Sequence, residues 1–444
     1  MMELSLTRRL QLHSNTAAKS TTTSADSVAL DVAKRWVLIA ALLSLVCKLA
    51  IAYNTFGTND VTTFYMFARS LNEHGLEWTY RCGGTLFSNG AAFNHPPATA
   101  YFLELIDSAS RRQFFQSCGF TFPFLLRLPG IVADFVVVFI LLRFWKTRAH
   151  TPFWSLTLFA ISPVSLMVSG FHGNTDPVMV MFLVLAALAC SRAQPILCAV
   201  FLALSCQVKI IPLLLLPATL LFWATRRMAV RFTIVFAFAT VVPWLQPLVQ
   251  CPELFLKNVF GYNSYWGTWG ITYLLRLTGW PQFNGTGAFH LPALAAATVF
   301  ALKCLIISLA IILAWRRRVL DERALAASLS STWILFFVFS PGIAPQYMIW
   351  LAPFVLMSSS VFYVWLTATS AIFLFVFYNT TAGGLPWYYS LSSNAAEMVN
   401  VWTPWSLLPW ATLIVGTTLF WKKTTTDDLS LPLFNFKTLP AKST

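Results

Sequence analysis

The sequence predicts an all-α polytopic membrane protein, and three observations carry that prediction. Of 444 residues, 57% are hydrophobic and only 10% charged, with a mean hydropathy of +0.67. A soluble domain carries about 25% charged residues, so this chain lacks the polar surface that water would require. Apolar runs of roughly spanning length recur at 36–53, 127–144, 153–169, 176–191, 194–207, 210–225, 232–249, 292–315, 324–340, 346–358, 360–378 and 404–421. Read as helices, they predict about 12 transmembrane segments.

The third observation is charge asymmetry. With the N-terminus inside, the even-numbered connections carry Arg143, Lys146 and Arg148, then Arg192, then Arg226, Arg227 and Arg231, then Arg316, Arg317, Arg318 and Arg323. Together with the two tails they hold 20 of the 30 Lys and Arg on one side. The positive-inside rule makes that side cytoplasmic. The net charge of +14 is thereby explained and asks for no nucleic acid.

This topology divides the chain into a polar N-terminal tail (1–33), a membrane domain (34–423) and a C-terminal tail (424–444), both tails cytoplasmic and expected to be disordered. The first apolar run is long enough to span, which makes it a retained helix rather than a cleaved signal. Three connections are much longer than turns, and all fall outside: 54–126, 250–291 and 379–403. Long ordered loops are usually functional, so chemistry is expected on the outer face. In the first, Phe64, Tyr65, Ala68 and Leu71 line one helical face, ended by Gly75, and Pro96-Pro97 start a second helix running to Ile106. Both are expected to lie in the membrane interface.

The eight cysteines show no CxxC and no zinc-ligand spacing. Cys82 and Cys118 could bridge in an oxidising compartment or remain free thiols. No internal repeat is evident, which counts against an inverted-repeat transporter.

Four stretches, in order, carry a resemblance: "TNDVTTFYMFA" after the first helix, "NHPPATAYFLELI" in the same loop, "RLPGIVADFVVVFILL" opening the second helix, and "SPGIAPQYMIWLAPF" late in the chain. "SGFHGNTDPVMVMFLVLA" and "VKIIPLLLLPA" fall at matching places in the layout. The chain resembles the GT-C superfamily of integral-membrane glycosyltransferases that use polyprenyl-phosphate sugars. It is most similar to the mannosyltransferase members, both the bacterial polyprenol-phosphate-mannose enzymes and the glycosylphosphatidylinositol type. The resemblance implies a GT-C fold and transfer of one hexose, mannose first, from a polyprenyl-phosphate donor to a lipid-linked or glycan acceptor. It further implies inversion at the anomeric carbon and a single-chain enzyme needing no cofactor. The membrane would be the bacterial plasma membrane with a periplasmic site, or the endoplasmic reticulum in a eukaryote. Where many members carry two acids in the first loop, this chain has Asn59-Asp60.

That resemblance makes Asp60 the general base, although on its own it reads as a helix N-cap for Thr62 or Thr63. A leaving phosphate needs positive or hydrogen-bonding groups. Lys209 is the first candidate, against the alternative of a snorkelling lysine. His172 could meet phosphate or sugar, or be a satisfied loop histidine, and Asp176 reads as the cap of the following helix. Arg127 contacts phosphate or anchors the interface, and Arg276 is a further phosphate candidate. Asp134, inside an apolar segment, calls for a partner, with Lys303 one possibility. For substrate, His95 shapes the loop or touches acceptor. Tyr262, Tyr265, Trp266 and Trp269 form either a sugar-stacking surface or an aromatic belt. Gln346 and Tyr347, in a Pro-broken segment, offer polar groups near the outer face. No acidic cluster resembles a cation cage, so metal-independent transfer is expected. The alternative function is a transporter or flippase for a lipid-linked saccharide, without chemistry.

Overall fold

The computed structural model describes residues 31–83, 92–144, 153–262, 267–284, 291–317, 322–391 and 404–423. Most of both tails, together with Tyr265 and Trp266, lies outside those residues.

The described chain is almost entirely helical. Six helices are long and apolar enough to cross a membrane: α1 (Asp31–Asn54), α5 (from Phe122, apolar to Leu142), α6 (Phe153–His172), α10 (Ala229–Gln250), α13 (Ala293–Arg317) and α16 (Ser360–Thr381). Between α1 and α5 lie α2 (Asn59–Cys82), α3 (Pro97–Ser110) and the short α4 (Gln113–Ser117). Five of the expected spans are shorter apolar helices: α7 (Asp176–Ser191), α8 (Pro195–Val208), α9 (Ile211–Ala224), α14 (Glu322–Phe339, apolar from Leu325) and α17 (Leu407–Lys423, apolar to Thr418). At 1.5 Å per residue, the 14 residues of α8 rise about 21 Å, less than the hydrocarbon thickness. The remaining expected helix, 346–358, is broken. Pro345–Ile349 forms a 3-10 turn and Ala352–Ser358 a two-turn helix, α15, nearly all of it buried in protein. Irregular backbone at this depth is tolerated where protein receives it.

The main core lies among the spanning helices, where α7, α8 and α10 pack side by side and α5 rests against α7. A second core lies under the first long loop. There Phe64, Ala68 and Leu71 turn inward onto α3 and α11 (Pro252–Phe260), and only Tyr65 of that face remains exposed. The expectation that α2 lays this face on the bilayer is therefore corrected: the face is a protein core, and each buried Phe or Leu contributes about 2 kcal/mol relative to exposure in water. Besides Tyr65, the exposed apolar groups of α2–α4 are Tyr101, Leu105 and Phe114.

The α2 helix, expected to end at Gly75, instead kinks there, at a φ of 83° that no L-residue adopts readily. Pro97 occupies the first position of α3, where its missing N–H costs nothing. The entry to α2 is clasped from far along the chain: β1 (Gly57–Thr58) pairs in parallel with β2 (Tyr389–Ser390). Cys82 and Cys118 are free thiols. Asp134 does not pair with Lys303. Its partner is Lys48 of α1, at 2.7 Å, while the Lys303 ammonium donates to the carbonyl of Tyr262.

Candidate active site

The site is built where five chain segments end on the same side of the bundle: the start of α2, the ends of α6 and α8, the start of α7 and the turn before α15. Its centre is Asp60. The N-cap of α2 is Thr58, whose hydroxyl accepts from the Asp60 amide at 3.3 Å and donates to the carbonyl of His172 at 2.9 Å. Thr58 takes the capping role anticipated for Asp60, which leaves the carboxylate free.

Three donors converge on one oxygen of that carboxylate. His172 Nε2 lies 3.0 Å from Asp60 Oδ2, Asn174 Nδ2 donates to it at 2.8 Å, and Gln346 Nε2 at 3.0 Å. A carboxylate can only accept, so Nε2 of His172 carries a proton. Tyr378 lies 2.8 Å from the other ring nitrogen, Nδ1, and its O–H donates there in the neutral ring. With Oδ2 saturated, Oδ1 is the oxygen left to accept from a substrate. The Asp60 side chain is 31% exposed, whereas that of His172 is 4% exposed. The Asp60 carboxylate is thus the more exposed partner, and the His172 ring that holds it is buried.

Burial raises the Asp60 carboxyl, but His172, by charge and hydrogen bond, with Asn174 and the Lys209 ammonium, more than offsets this and holds it below the ordinary value. Asp60 is therefore ionised at neutral pH. Its ionised fraction falls only as pH drops through a value below the model-peptide 3.8.

The backbone that carries these groups needs glycine at Gly57 and Gly173. Gly173 has φ 84°, and a Cβ there would lie 2.4 Å from Val61 Cγ2, in the first turn of α2. Left-handed backbone alone costs an L-residue about 1–2 kcal/mol. Gly173→Ala is expected to lose about that much stability and at least tenfold in turnover, because relief of the clash moves Asn174 and His172 from Asp60. Thermal unfolding in detergent and steady-state kinetics check both.

Lys209 follows α8 in extended conformation, at a break before the 3-10 turn that opens α9. Its ammonium lies 2.5 Å from Asp176, a carboxylate with 0% exposure, and stands 4.6 Å from the Tyr347 ring centre and 5.2 Å from that of Trp350. Snorkelling into water is not its role, since its side chain is 11% exposed and paired. Asp176 opens α7 without capping it. It is the counter-ion of Lys209. The last carbonyls of α8 are met by the first long loop: Thr99 donates to the carbonyls of Gln207 and Val208, and His95 Nδ1 lies 3.5 Å from the latter. These contacts satisfy orphan helix carbonyls and fix the residue before Lys209.

Burial and the nearby Lys209 charge push His95 down to about 3, against weaker opposing effects of the Val208 carbonyl and Asp60. The ring is neutral when folded. The unfolded chain takes up this proton below about 6.5, so the contribution to stability is complete above that pH and declines from there toward 3. At 1.36 kcal/mol per unit, the loss amounts to about 2 kcal/mol by pH 5. Wild-type thermal stability is expected to drop between pH 7 and pH 5, and His95→Phe to flatten that drop.

The other anticipated residues fall elsewhere. Arg127 is 1% exposed, and its guanidinium is spent on Thr55 Oγ1 and on the carbonyls of Pro123, Ala52, Thr55, Gly170 and Phe171. It ties α1, α5 and α6 together behind the site and presents no donor to a phosphate. Trp269 is 0% exposed, and its indole donates to the carbonyl of Phe337 at 2.7 Å. It belongs to the core, neither to a belt nor to a stacking surface. Tyr262 gives its carbonyl to Lys303. Arg276, on α12 (Gly270–Leu277), runs past Gly267 and is not among the contacts of Asp60. Asn174 and Tyr378 were not anticipated. The "FHGNTD" spacing offers a signal for Asn174, but Tyr378 lies 206 positions from His172 and nothing local marks it.

An ionised carboxylate, an anchored ammonium and a neutral histidine thus stand together at one end of a bundle of apolar helices. The family model for glycosyltransferase family 87 matches residues 93–341, more than half of the chain, and the chain belongs to that family of glycosyltransferases. The matched stretch includes His95, His172, Asn174 and Lys209, with Asp60 before it and Gln346 and Tyr378 after it. No curated protein matches the chain.

Proposed function

We propose that this glycosyltransferase moves one hexose, mannose first among candidates, from a polyprenyl-phosphate donor to a hydroxyl of a lipid-linked or glycan acceptor at the outer face of its membrane. The fold reading is GT-C, and Asp60 is the general base. The observation that carries the reading is the partly exposed Asp60 carboxylate, with three donors gathered on Oδ2 and the Lys209 charge acting on it.

In this scheme the acceptor O–H faces Oδ1. The acceptor oxygen forms its bond to the anomeric carbon as the bond from that carbon to the phosphate oxygen breaks, its electron pair leaving on the polyprenyl phosphate. The acceptor proton passes to Oδ1. One displacement inverts the anomeric configuration. A carboxylate held below its ordinary value is a weak base toward a free alcohol. It suffices here because the attacking oxygen becomes strongly acidic as its bond to carbon forms, so the proton moves late. His172, Asn174 and Gln346 hold Oδ2 and aim the lone pairs of Oδ1. Lys209, steadied by Asp176 and the two aromatic rings, offers its remaining N–H groups to the leaving phosphate. Tyr347 lies under the Lys209 ammonium, and His95 stays neutral.

No group of three or more His, Cys, Asp or Glu that could hold a metal ion occurs among the described residues. The proposal is cation-independent transfer: EDTA is expected to leave the rate unchanged, and a loss restored by magnesium or manganese would contradict it. A transporter would call for functional charges near mid-membrane, and Lys303 and Asp134 are the charges in apolar segments that would favour it. Their engagement with Tyr262 and with Lys48 removes that motive. Purified protein in detergent, with a polyprenyl-phosphate mannose and short glycolipid acceptors, should form product of inverted configuration. Donor translocation in liposomes without product would favour the transporter.

A further inference from the structure

Beneath the site lies a polar cluster that takes no part in that scheme. Lys48 of α1 donates to Asp134 Oδ2 at 2.7 Å and to Ser165 Oγ at 2.6 Å. Ser165 and Ser169, both on α6, each donate to the same Asp134 oxygen at 2.5 Å. Lys48 is 4% exposed and Asp134 13%. A pair of charges inside a spanning bundle is expensive, and an apolar pair of similar volume would often be equally stable or more so. Stability alone therefore does not account for the cluster.

Its placement does. Residues Leu166–His172 at the end of α6 form a π-helical segment, a rare geometry seen mostly as single-turn bulges inside α-helices and frequent at functional sites. Ser165 immediately precedes this segment and Ser169 lies within it, so Asp134 grips its lower end. Arg127 takes the carbonyls of Gly170 and Phe171 at the upper end, and Thr58 takes that of His172. Relaxation to α-helical pairing would wind the segment differently and rotate His172 off Asp60. We infer that Lys48, Asp134, Ser165 and Ser169 are positioning residues: an intramembrane brace that holds the π-helical segment in the register placing His172 Nε2 on Asp60 Oδ2.

The inference rests on the proposed role of Asp60 for its kinetic consequences, but its structural part is read separately. The test is the double variant Lys48→Met with Asp134→Leu, which removes both charges together and leaves neither uncompensated. It is expected to keep the wild-type thermal midpoint in detergent, to lose tenfold or more in kcat and to keep both KM values within twofold. In a His172→Gln background the same double change should cost no further kcat, because the brace acts through that ring. Amide hydrogen exchange across 166–172 should accelerate at least tenfold in the double variant, whether or not any substrate is turned over. Ser169→Ala should show the same pattern at smaller size. Wild-type exchange and wild-type kcat in the double variant would overturn the inference, as would a kcat loss that multiplies with that of His172→Gln. An Asp60→Asn enzyme with undiminished transfer would overturn the base assignment instead, leaving the exchange result to judge the brace.

Discussion

Asp60→Asn is expected to reduce kcat by about 10²–10⁴-fold, while fold and donor affinity persist. The substitution keeps the shape of the side chain and replaces the proton acceptor with an amide. The Oδ2 position, which accepts from His172, Asn174 and Gln346, can still be filled by an amide oxygen. That leaves the amide nitrogen facing the acceptor hydroxyl, where it can donate but cannot remove a proton. Donor binding, which the proposal assigns to Lys209 and a lipid tail, should stay within a few-fold. Because Asp60 is held below its ordinary value, the wild-type rate limb attributable to it lies below about pH 4, and kcat should be level from pH 5 to 8 insofar as Asp60 governs it. Steady-state kinetics with donor binding measured separately checks each part. Residual turnover near wild type would remove Asp60 from the chemistry.

Lys209→Ala has the second largest expected effect, and it falls on both stability and rate. Asp176 is completely buried, and Lys209 is its ion-pair partner. Removing one member of a buried pair leaves an uncompensated charge and costs about 3–5 kcal/mol. Transfer should fall by at least 10²-fold, in line with the loss of a group that meets developing charge. To separate the two, Lys209→Met combined with Asp176→Leu removes the pair together. The expected outcome is a recovered thermal midpoint with turnover still depressed at least 10²-fold and weakened donor binding. Recovery of turnover along with stability would reduce Lys209 to a structural role.

The extent to which this architecture was legible beforehand differs by the range of the interactions involved. Composition and Lys/Arg placement sufficed for a helical membrane protein, because both reflect what lipid and water tolerate residue by residue. Pro97 marked a helix start and Gly75 a kink where the helix was expected to end, since a missing N–H and φ preference act locally. Asp60, His172 and Gln346 were recognisable as chemistry-bearing residues, and they do meet. Their arrangement was not legible. That Thr58 would relieve Asp60 of capping depends on a hydroxyl that also reaches the carbonyl of His172, 114 residues away. Arg127 reads as a phosphate ligand on a membrane boundary and proves to be an internal tie, because its fate depended on five carbonyls from three separate segments. Trp269, beside Gly and Tyr, has the local look of a sugar platform, and only packing against α14 reveals it as core. The pairing of Asp134 with Lys48 instead of Lys303 was equally out of reach: both lysines lie in apolar runs, and the choice is made by which helix stands next to α5.

The short helices α7, α8 and α9 illustrate a related limit. Hydropathy registers them as runs near spanning length, but the breaks at Asn174–Asp176 and at Lys209 are where the groups of the candidate site enter. The polar residues that shorten these helices are those that bring Asn174, Asp176 and Lys209 to the mouth of the site.

The central claim is tested most directly by a structure of the Asp60→Asn protein, slowed in turnover, with a polyprenyl-phosphate hexose and a glycolipid acceptor bound. The account predicts the donor phosphate within hydrogen-bond reach of Lys209 Nζ, and the acceptor hydroxyl between the anomeric carbon and the position of Asp60 Oδ1, on the face opposite the phosphate. A sugar ring seated away from residue 60, or an acceptor approaching on the phosphate side, would contradict it.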